Sequence, residues 1–144
     1  MKPKEQVSVE FMSRSVNEGF ARGVTAAFLA RTDPTVEELI DLKTAVSEAV
    51  TNAIVHAYPN GLGKIRMTLS LYENGMVRIV VADHGCGIEN IKQAMEPLYT
   101  TGDPEQRAGL GFAVMQNFTD RLLVSSKPGK GTRITLYKQM QAKD

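Results

Sequence analysis

Two polar residues, Glu48 and Asn52, stand four apart in the segment Lys43-Thr-Ala-Val-Ser-Glu-Ala-Val-Thr-Asn-Ala-Ile-Val-His-Ala57. Residues at that spacing lie one above the other on a helix, so a carboxylate and a carboxamide enter the same space from a rigid base. An amide oxygen is a hard, neutral ligand suited to Mg²⁺, and a carboxylate beside it can take a proton from a hydroxyl or orient a water. An ordinary solvated helix face also carries such pairs, so the spacing alone defines a chemistry and not yet a site. Asp83 is a second carboxylate of interest. It follows an apolar run and precedes Gly85 and Gly87, which places it at a sheet end beside backbone that a ligand can approach closely. A buried carboxylate there must find donors, and the exocyclic amine of adenine or the amides of a tight turn both serve. Gly109 and Gly111 fall where a loop is expected to become a helix, a junction whose free amides and dipole favour a phosphate; a tight turn accounts for the same spacing. His84 and Cys86 read as a loop residue and a small filler, and neither is assigned a catalytic role.

The elements that must position these groups are legible from periodicity. Val46, Ala49, Val50, Ala53 and Ile54 form the buried stripe of a central helix, launched by a Thr35/Glu38 capping box and stopped by Tyr58-Pro-Asn-Gly61. Before it, Val7, Val9 and Phe11 alternate as a strand, and a Ser15/Glu18 capping box opens a helix expected over about residues 16 to 31. Gly19 and Gly23 each weaken that helix by roughly 1 kcal/mol relative to Ala, so it must lean on packing. Arg14 and Arg22 flank its apolar stripe and should be exposed. After the central helix, Ile65, Met67, Leu69 and Leu71 alternate, Glu73-Asn-Gly75 turns the chain, and the returning strand from Met76 to Ala82 is apolar enough to be buried on both sides. From His84 to Ala108 no period persists, and a connection this long suggests a lid. A short helix over about 112 to 119 and a hairpin of strands over 122 to 126 and 132 to 137 complete the chain. The order predicts an α+β fold, with helices layered on one face of a mixed, mostly antiparallel sheet.

Bulk composition excludes several classes. The 144 residues suit a single domain, 1–144, and 42% hydrophobic with 23% charged residues is ordinary for a soluble globule. Seventeen basic against sixteen acidic residues give +1, which recommends neither nucleic acid nor an anionic membrane as partner. A single cysteine makes no internal disulfide and fits a reducing cytoplasm, and no apolar run reaches the ~20 residues of a membrane span or marks a leader. The chain lacks the Gly-x-x-x-x-Gly-Lys-Ser/Thr phosphate loop, the His-Arg-Asp loop and the dinucleotide fingerprint, so any nucleotide must be held by another architecture.

Four motifs in order, Glu48-x-x-x-Asn52, Asp83-x-Gly85-x-Gly87, Gly109-x-Gly111 and Gly129-x-Gly131-Thr132, resemble the Bergerat ATP-binding fold shared by gyrase, Hsp90 chaperones, histidine kinases and MutL. Within that superfamily, Ser47-Glu-Ala-Val-Thr-Asn-Ala-Ile-Val-His56 is similar to the small serine kinases that act as bacterial anti-sigma factors. Arg14 to Arg22, Pro97-Leu-Tyr-Thr-Thr101 and Arg107 to Phe118 resemble the sporulation branch of that family, over essentially the whole chain. The resemblance implies a two-layer α/β sandwich and an ATP-dependent protein-serine kinase. Such a protein would hold a sporulation sigma factor of the sigma-F type while ATP is present and phosphorylate its antagonist, an anti-anti-sigma protein, on serine. It implies Glu48 as general base, Asn52 as Mg²⁺ ligand, and Asp83 as acceptor of the adenine amine, helped by Thr132 through a water. Gly85, Gly87, Gly109 and Gly111 would line the nucleotide, with Thr100, Thr101 and Arg107 near the terminal phosphates. Arg14 and Arg22 would face the protein partners, on a homodimer. His84, Cys86 and Ala57 depart from the commoner residues of the family. A stress-response anti-sigma kinase and a non-catalytic ATP-dependent binding module are the alternatives, and the ionisable Glu48 weighs against the second.

Overall fold

A computed structural model describes the backbone of residues 2–96 and 104–141, and the side chains of 2–96 and 110–141. Five strands, β1 (Glu5–Met12), β2 (Lys64–Leu71), β3 (Met76–Asp83), β4 (Arg121–Lys127) and β5 (Gly131–Gln139), form one sheet in the order β1-β2-β3-β5-β4. Every described pairing is antiparallel. Four helices, α1 (Asn17–Leu29), α2 (Val36–His56), α3 (Ile91–Ala94) and α4 (Pro104–Phe118), complete the described elements, with a short 3-10 turn over Ala30–Thr32. The α+β class and the single layer of helices on a sheet are as the sequence predicts.

Alternation explains how the layers join. Cross-strand register aligns Val9, Met67, Val81, Ile134 and Val124 in one row, and Val7, Leu69, Ile79, Leu136 and Leu122 in the next. Because side chains alternate between faces, these rows share one side of the sheet, and the stripe of α2 (Leu42, Val46, Ala49, Val50, Ala53) is buried with them in one core. Helix α2 is the middle of the helical layer, in contact with α1 and with α4. β3 is central, and Val77, Ile79, Val80 and Val81 are all buried.

One carboxylate joins the start of α2 to the end of the chain. Thr35 Oγ1 accepts from the Glu38 amide at 3.0 Å and Glu38 Oε1 accepts from the Thr35 amide at 2.9 Å, the capping box that the sequence predicts. Glu38 Oε2 meanwhile accepts from the amide of Gln141 at 2.7 Å. Nearby, Lys138 Nζ donates to Asp41 Oδ2 at 3.0 Å.

Two local expectations are corrected. The Ser15/Glu18 capping box does not form: α1 begins after Val16 without a side-chain cap, since Glu18 spends its carboxylate on Arg22 and on the Ser47 hydroxyl. Helix α4 begins at Pro104, well before the predicted 112. Proline at a first helical position gives up an amide that would be unpaired anyway, and Glu105, Gln106, Arg107 and Ala108 are good helix formers, so the helix starts before the apolar period becomes visible.

Candidate nucleotide site

The C-terminal end of β3 and the middle of α2 build the site between them. Asp83 pairs with Thr132 across β3 and β5, in the row next to the one formed by Val81 and Ile134, so it points towards the helices and is buried. Its Oδ1 accepts from the Gly85 amide at 2.9 Å and from the Thr132 amide at 3.2 Å. Thr132 thus reaches Asp83 directly through its backbone, and its hydroxyl bonds Ser126 Oγ at 2.8 Å. Asp83 Oδ2 takes no hydrogen bond among the described residues. Burial pushes the Asp83 carboxyl above the usual range, while the two amides and His84 pull the other way. The turn reading of this carboxylate therefore holds through Oδ1, and Oδ2 is not used by the turn.

A cavity of about 350 Å³ opens beside Asp83. Asn52, Ala53 and His56 of α2 form one side, Gly87 and Ile88 another, and Phe112 of α4 with Ile134 of β5 contribute apolar wall. Gly87 holds φ +75°, and a Cβ there would collide with the backbone of Lys127, so the loop can bend tightly against the β4–β5 turn only without a side chain. The cavity thus sets apolar wall against polar groups, among them the buried Asp83 carboxylate and the exposed Glu89, a mixture that suits a flat heterocycle with polar edges.

Towards the N-terminus of α2 the character changes. Gly111 of α4 is buried on the polar face of α2, where an added Cβ would lie 3.2 Å from both Asn52 Oδ1 and Glu48 Oε2. Absence of a side chain at Gly111 lets α4 close on the pair, and the two oxygens share one small space, as the i,i+4 spacing predicts. Glu48 is partly buried and its carboxyl is raised above the ordinary value, first by burial and then by the charge of Glu18. Asn52 Nδ2 is buried without a partner among the described residues, an arrangement that costs stability unless an acceptor arrives.

The amide oxygen of Asn52 also bears on Mg²⁺. Among the described residues no cluster of three or more His, Cys, Asp and Glu could hold a metal. One amide oxygen with a carboxylate close by fits a magnesium ion bound chiefly through substrate phosphates and waters, the usual mode for that cation in phosphoryl transfer.

The remaining sequence candidates divide. Gly85 packs against the Ala57 backbone and supplies an amide to Asp83, a supporting role and not a lining one. Arg14 and Arg22 are exposed, as expected, and Arg22 pairs with Glu18 at 2.8 Å. Gly109 and Gly111 lie inside α4, so the loop-to-helix junction falls at Pro104 and not, as expected, at the two glycines, which are not at the helix's free N-terminal end. Arg107 belongs to α4 by its backbone, while its side chain lies outside the described ones. Thr100 and Thr101 lie outside the described residues altogether. Periodicity missed Ile88, Phe112 and Ile134 because cavity wall and core carry the same residue types, and it missed Ser126, whose only signal is its register beside Thr132.

Comparison with known proteins fits this geometry. Residues 13–138 match the family described as the histidine kinase-like ATPase domain, and the chain belongs to that family. Among solved structures, the RsbU and RsbW domains of Rv1364c from Mycobacterium tuberculosis superpose with a TM-score of 0.71 at 19% identity, covering 98% of this chain and 34% of that one. The blue-light activated histidine kinase of Erythrobacter litoralis shares the fold at a TM-score of 0.59 and 23% identity, over 82% of this chain and 40% of its own. Inside the family the sequence groups with anti-sigma F factors. It is 51% identical over 138 residues to the anti-sigma F factor of Caldanaerobacter subterraneus subsp. tengcongensis, covering 96% of each. To that of Clostridium beijerinckii it is 50% identical over 135 residues, covering 93% of this chain and 94% of the other.

Proposed function

We propose that the chain is an anti-sigma factor that is also an ATP-dependent protein-serine kinase. It holds a sigma factor of the sporulation sigma-F type while ATP is bound, and it phosphorylates an anti-anti-sigma antagonist on serine. The carrying observation is the convergence of Glu48 Oε2 and Asn52 Oδ1 beneath Gly111, on the helix that also walls the Asp83 cavity. The relatives named anti-sigma F factor supply the sigma partner of this reading.

In the proposed reaction Asp83 Oδ2 accepts from the adenine amine and fixes the purine in the cavity. Asn52 would help hold Mg²⁺, and the ion would supply charge neutralisation for the phosphates. Glu48 takes the proton of the substrate serine hydroxyl as its oxygen forms a bond to the terminal phosphorus. The bond from that phosphorus to the bridging oxygen breaks, and ADP leaves with the electron pair. Phosphoryl transfer needs little covalent help, so positioning and electrostatics carry the rate. Ionised Glu48 is required, and its raised pKa makes it a better base than an ordinary carboxylate. Thr100, Thr101, Arg107 and Gly109 remain proposed neighbours of the phosphates, and a homodimer remains the proposed assembly. The site of work is the cytoplasm in this reading; among the described residues no helix is long and apolar enough to cross a membrane.

The test is incubation with labelled ATP, Mg²⁺ and a candidate antagonist. Label on an antagonist serine is expected, and its absence, with ATP bound, leaves the non-catalytic binding module as the better account. Arg22→Glu is expected to weaken capture of both sigma factor and antagonist at unchanged ATP affinity; undiminished capture of both removes Arg22 from the partner face.

A further inference from the structure

The loop that carries Asp83 is fastened to the last turn of α2, and Tyr58 lies at that junction without lining the cavity. Its hydroxyl donates to Lys64 O at 2.6 Å and accepts from the His84 amide at 2.9 Å, so one oxygen ties the start of β2 to the residue that follows Asp83. Its ring occupies the space in which a Cβ on Gly63 would stand, so glycine there admits the ring. The adjoining contacts run in the same direction. Cys86 donates its amide to Ala57 O at 2.8 Å and its thiol to His56 O at 3.1 Å, and Gly85 abuts the Ala57 backbone. The carbonyls at a helix C-terminus lack partners within the helix, and here the Asp83 loop supplies them.

We propose that Tyr58 is a positioning residue for adenine recognition: through His84 it sets the Asp83 carboxylate at a fixed distance from Glu48 and Asn52 on α2. This rests on the reading of the cavity as an adenine nucleotide site. The hydroxyl holds the loop at its first residue and the two Cys86 bonds hold it further along, so the turn from Asp83 to Gly87 is pinned at both sides. Asp83 Oδ1 is already committed to Gly85 and Thr132, and the direction of Oδ2 follows from where that turn sits. Removing the hydroxyl leaves Lys64 O and the His84 amide at exposed positions where water replaces it, so selectivity is lost before stability is.

The decisive experiment measures binding of Mg²⁺-ATP and Mg²⁺-GTP by calorimetry for the parent chain, Tyr58→Phe and Gly63→Ala. Gly63→Ala disturbs the ring without touching the hydroxyl. Both variants are expected to raise the ATP dissociation constant about three- to tenfold, the range for one lost hydrogen bond, with little change for GTP. The ATP-over-GTP preference then falls by the same factor, and in Tyr58→Phe the thermal midpoint stays near the parent's. An unchanged preference in Tyr58→Phe overturns the assignment, whether or not the midpoint falls. A parent chain that binds no adenine nucleotide sinks the functional reading instead. The pin itself is then judged by amide hydrogen exchange at His84, Gly85 and Cys86, which is expected to quicken in Tyr58→Phe and overturns the pin if it does not.

Discussion

Asp83 and Glu48 are both carboxylates raised above their ordinary values by burial, yet the structure treats them in opposite ways. Asp83 has one oxygen held by two backbone amides in a turn shaped by Gly85 and Gly87. Glu48 has no amide lowering its pKa, and a second carboxylate, Glu18, raises it further. A group fastened by fixed donors presents a stable acceptor and resists a change of protonation. One left in partial burial beside a like charge is suited to receiving a proton and giving it up. The difference suits Asp83 to the proposed recognition and Glu48 to the proposed proton transfer.

The largest test of that separation is Glu48→Gln. Loss of a general base costs typically about 10²–10⁴ in rate, so serine phosphorylation is expected to fall by that order while ATP and sigma binding persist. Phosphorylation at the parental rate would falsify the proton-transfer role. Asp83→Asn should do the converse. Asparagine can still accept both amides through its oxygen but turns a donor to the ligand amine, so ATP affinity is expected to fall roughly 10- to 100-fold, in the range for a hydrogen bond to a charged group. Its effect on stability has a definite sign. An acid whose pKa is higher folded than unfolded binds more protons in the native state, so its contribution to stability falls as pH rises between the two values. Ionised Asp83 is therefore a net cost at neutral pH, and thermal unfolding of the free Asp83→Asn chain should show a midpoint no lower than the parent's. A clearly lower midpoint would make Asp83 structural.

A finer test is the pH profile. Because Glu48 acts ionised and its pKa is raised, the acid limb of the turnover profile should lie above the ordinary glutamate value. Glu18→Gln removes the like charge, so that limb should move to lower pH with the alkaline side unchanged. A limb that stays put shows that Glu18 does not act on the base. The smallest effect, and a control outside both carboxylates, is Thr35→Ala. It removes one cap and should cost about 1 kcal/mol of stability with turnover at saturating ATP untouched. A fall in turnover would mean that the start of α2 feeds the site.

The sequence made legible what depends on local partners. The Thr35/Glu38 box, the Asn74-Gly75 turn and the alternation of β2 all involve residues close along the chain, and all stand in the structure. Glu48 with Asn52 was readable because helix geometry alone places them together. The Ser15/Glu18 box failed for the opposite reason: Glu18 is claimed by Arg22 and by Ser47 of another helix, a competition that no local rule sees. The early start of α4 escaped because Gly109 and Gly111 interrupt the apolar period, although Pro104 marked the place. Tyr58 reads in the sequence only as part of a stop signal, since its partners Lys64 and His84 belong to two different strands' ends.

The last of the described strands is not at the rim of the sheet. β5 slots between β3 and β4, and just beyond it the Gln141 amide meets Glu38, more than a hundred positions upstream. A chain emerging from the ribosome therefore cannot close its central layer until β5 has been made, and β3 waits with a naked edge until then. Contacts so distant in order slow folding and leave unpaired strands open to mispairing. Losing β5 should thus cost the whole molecule, and not a frayed edge.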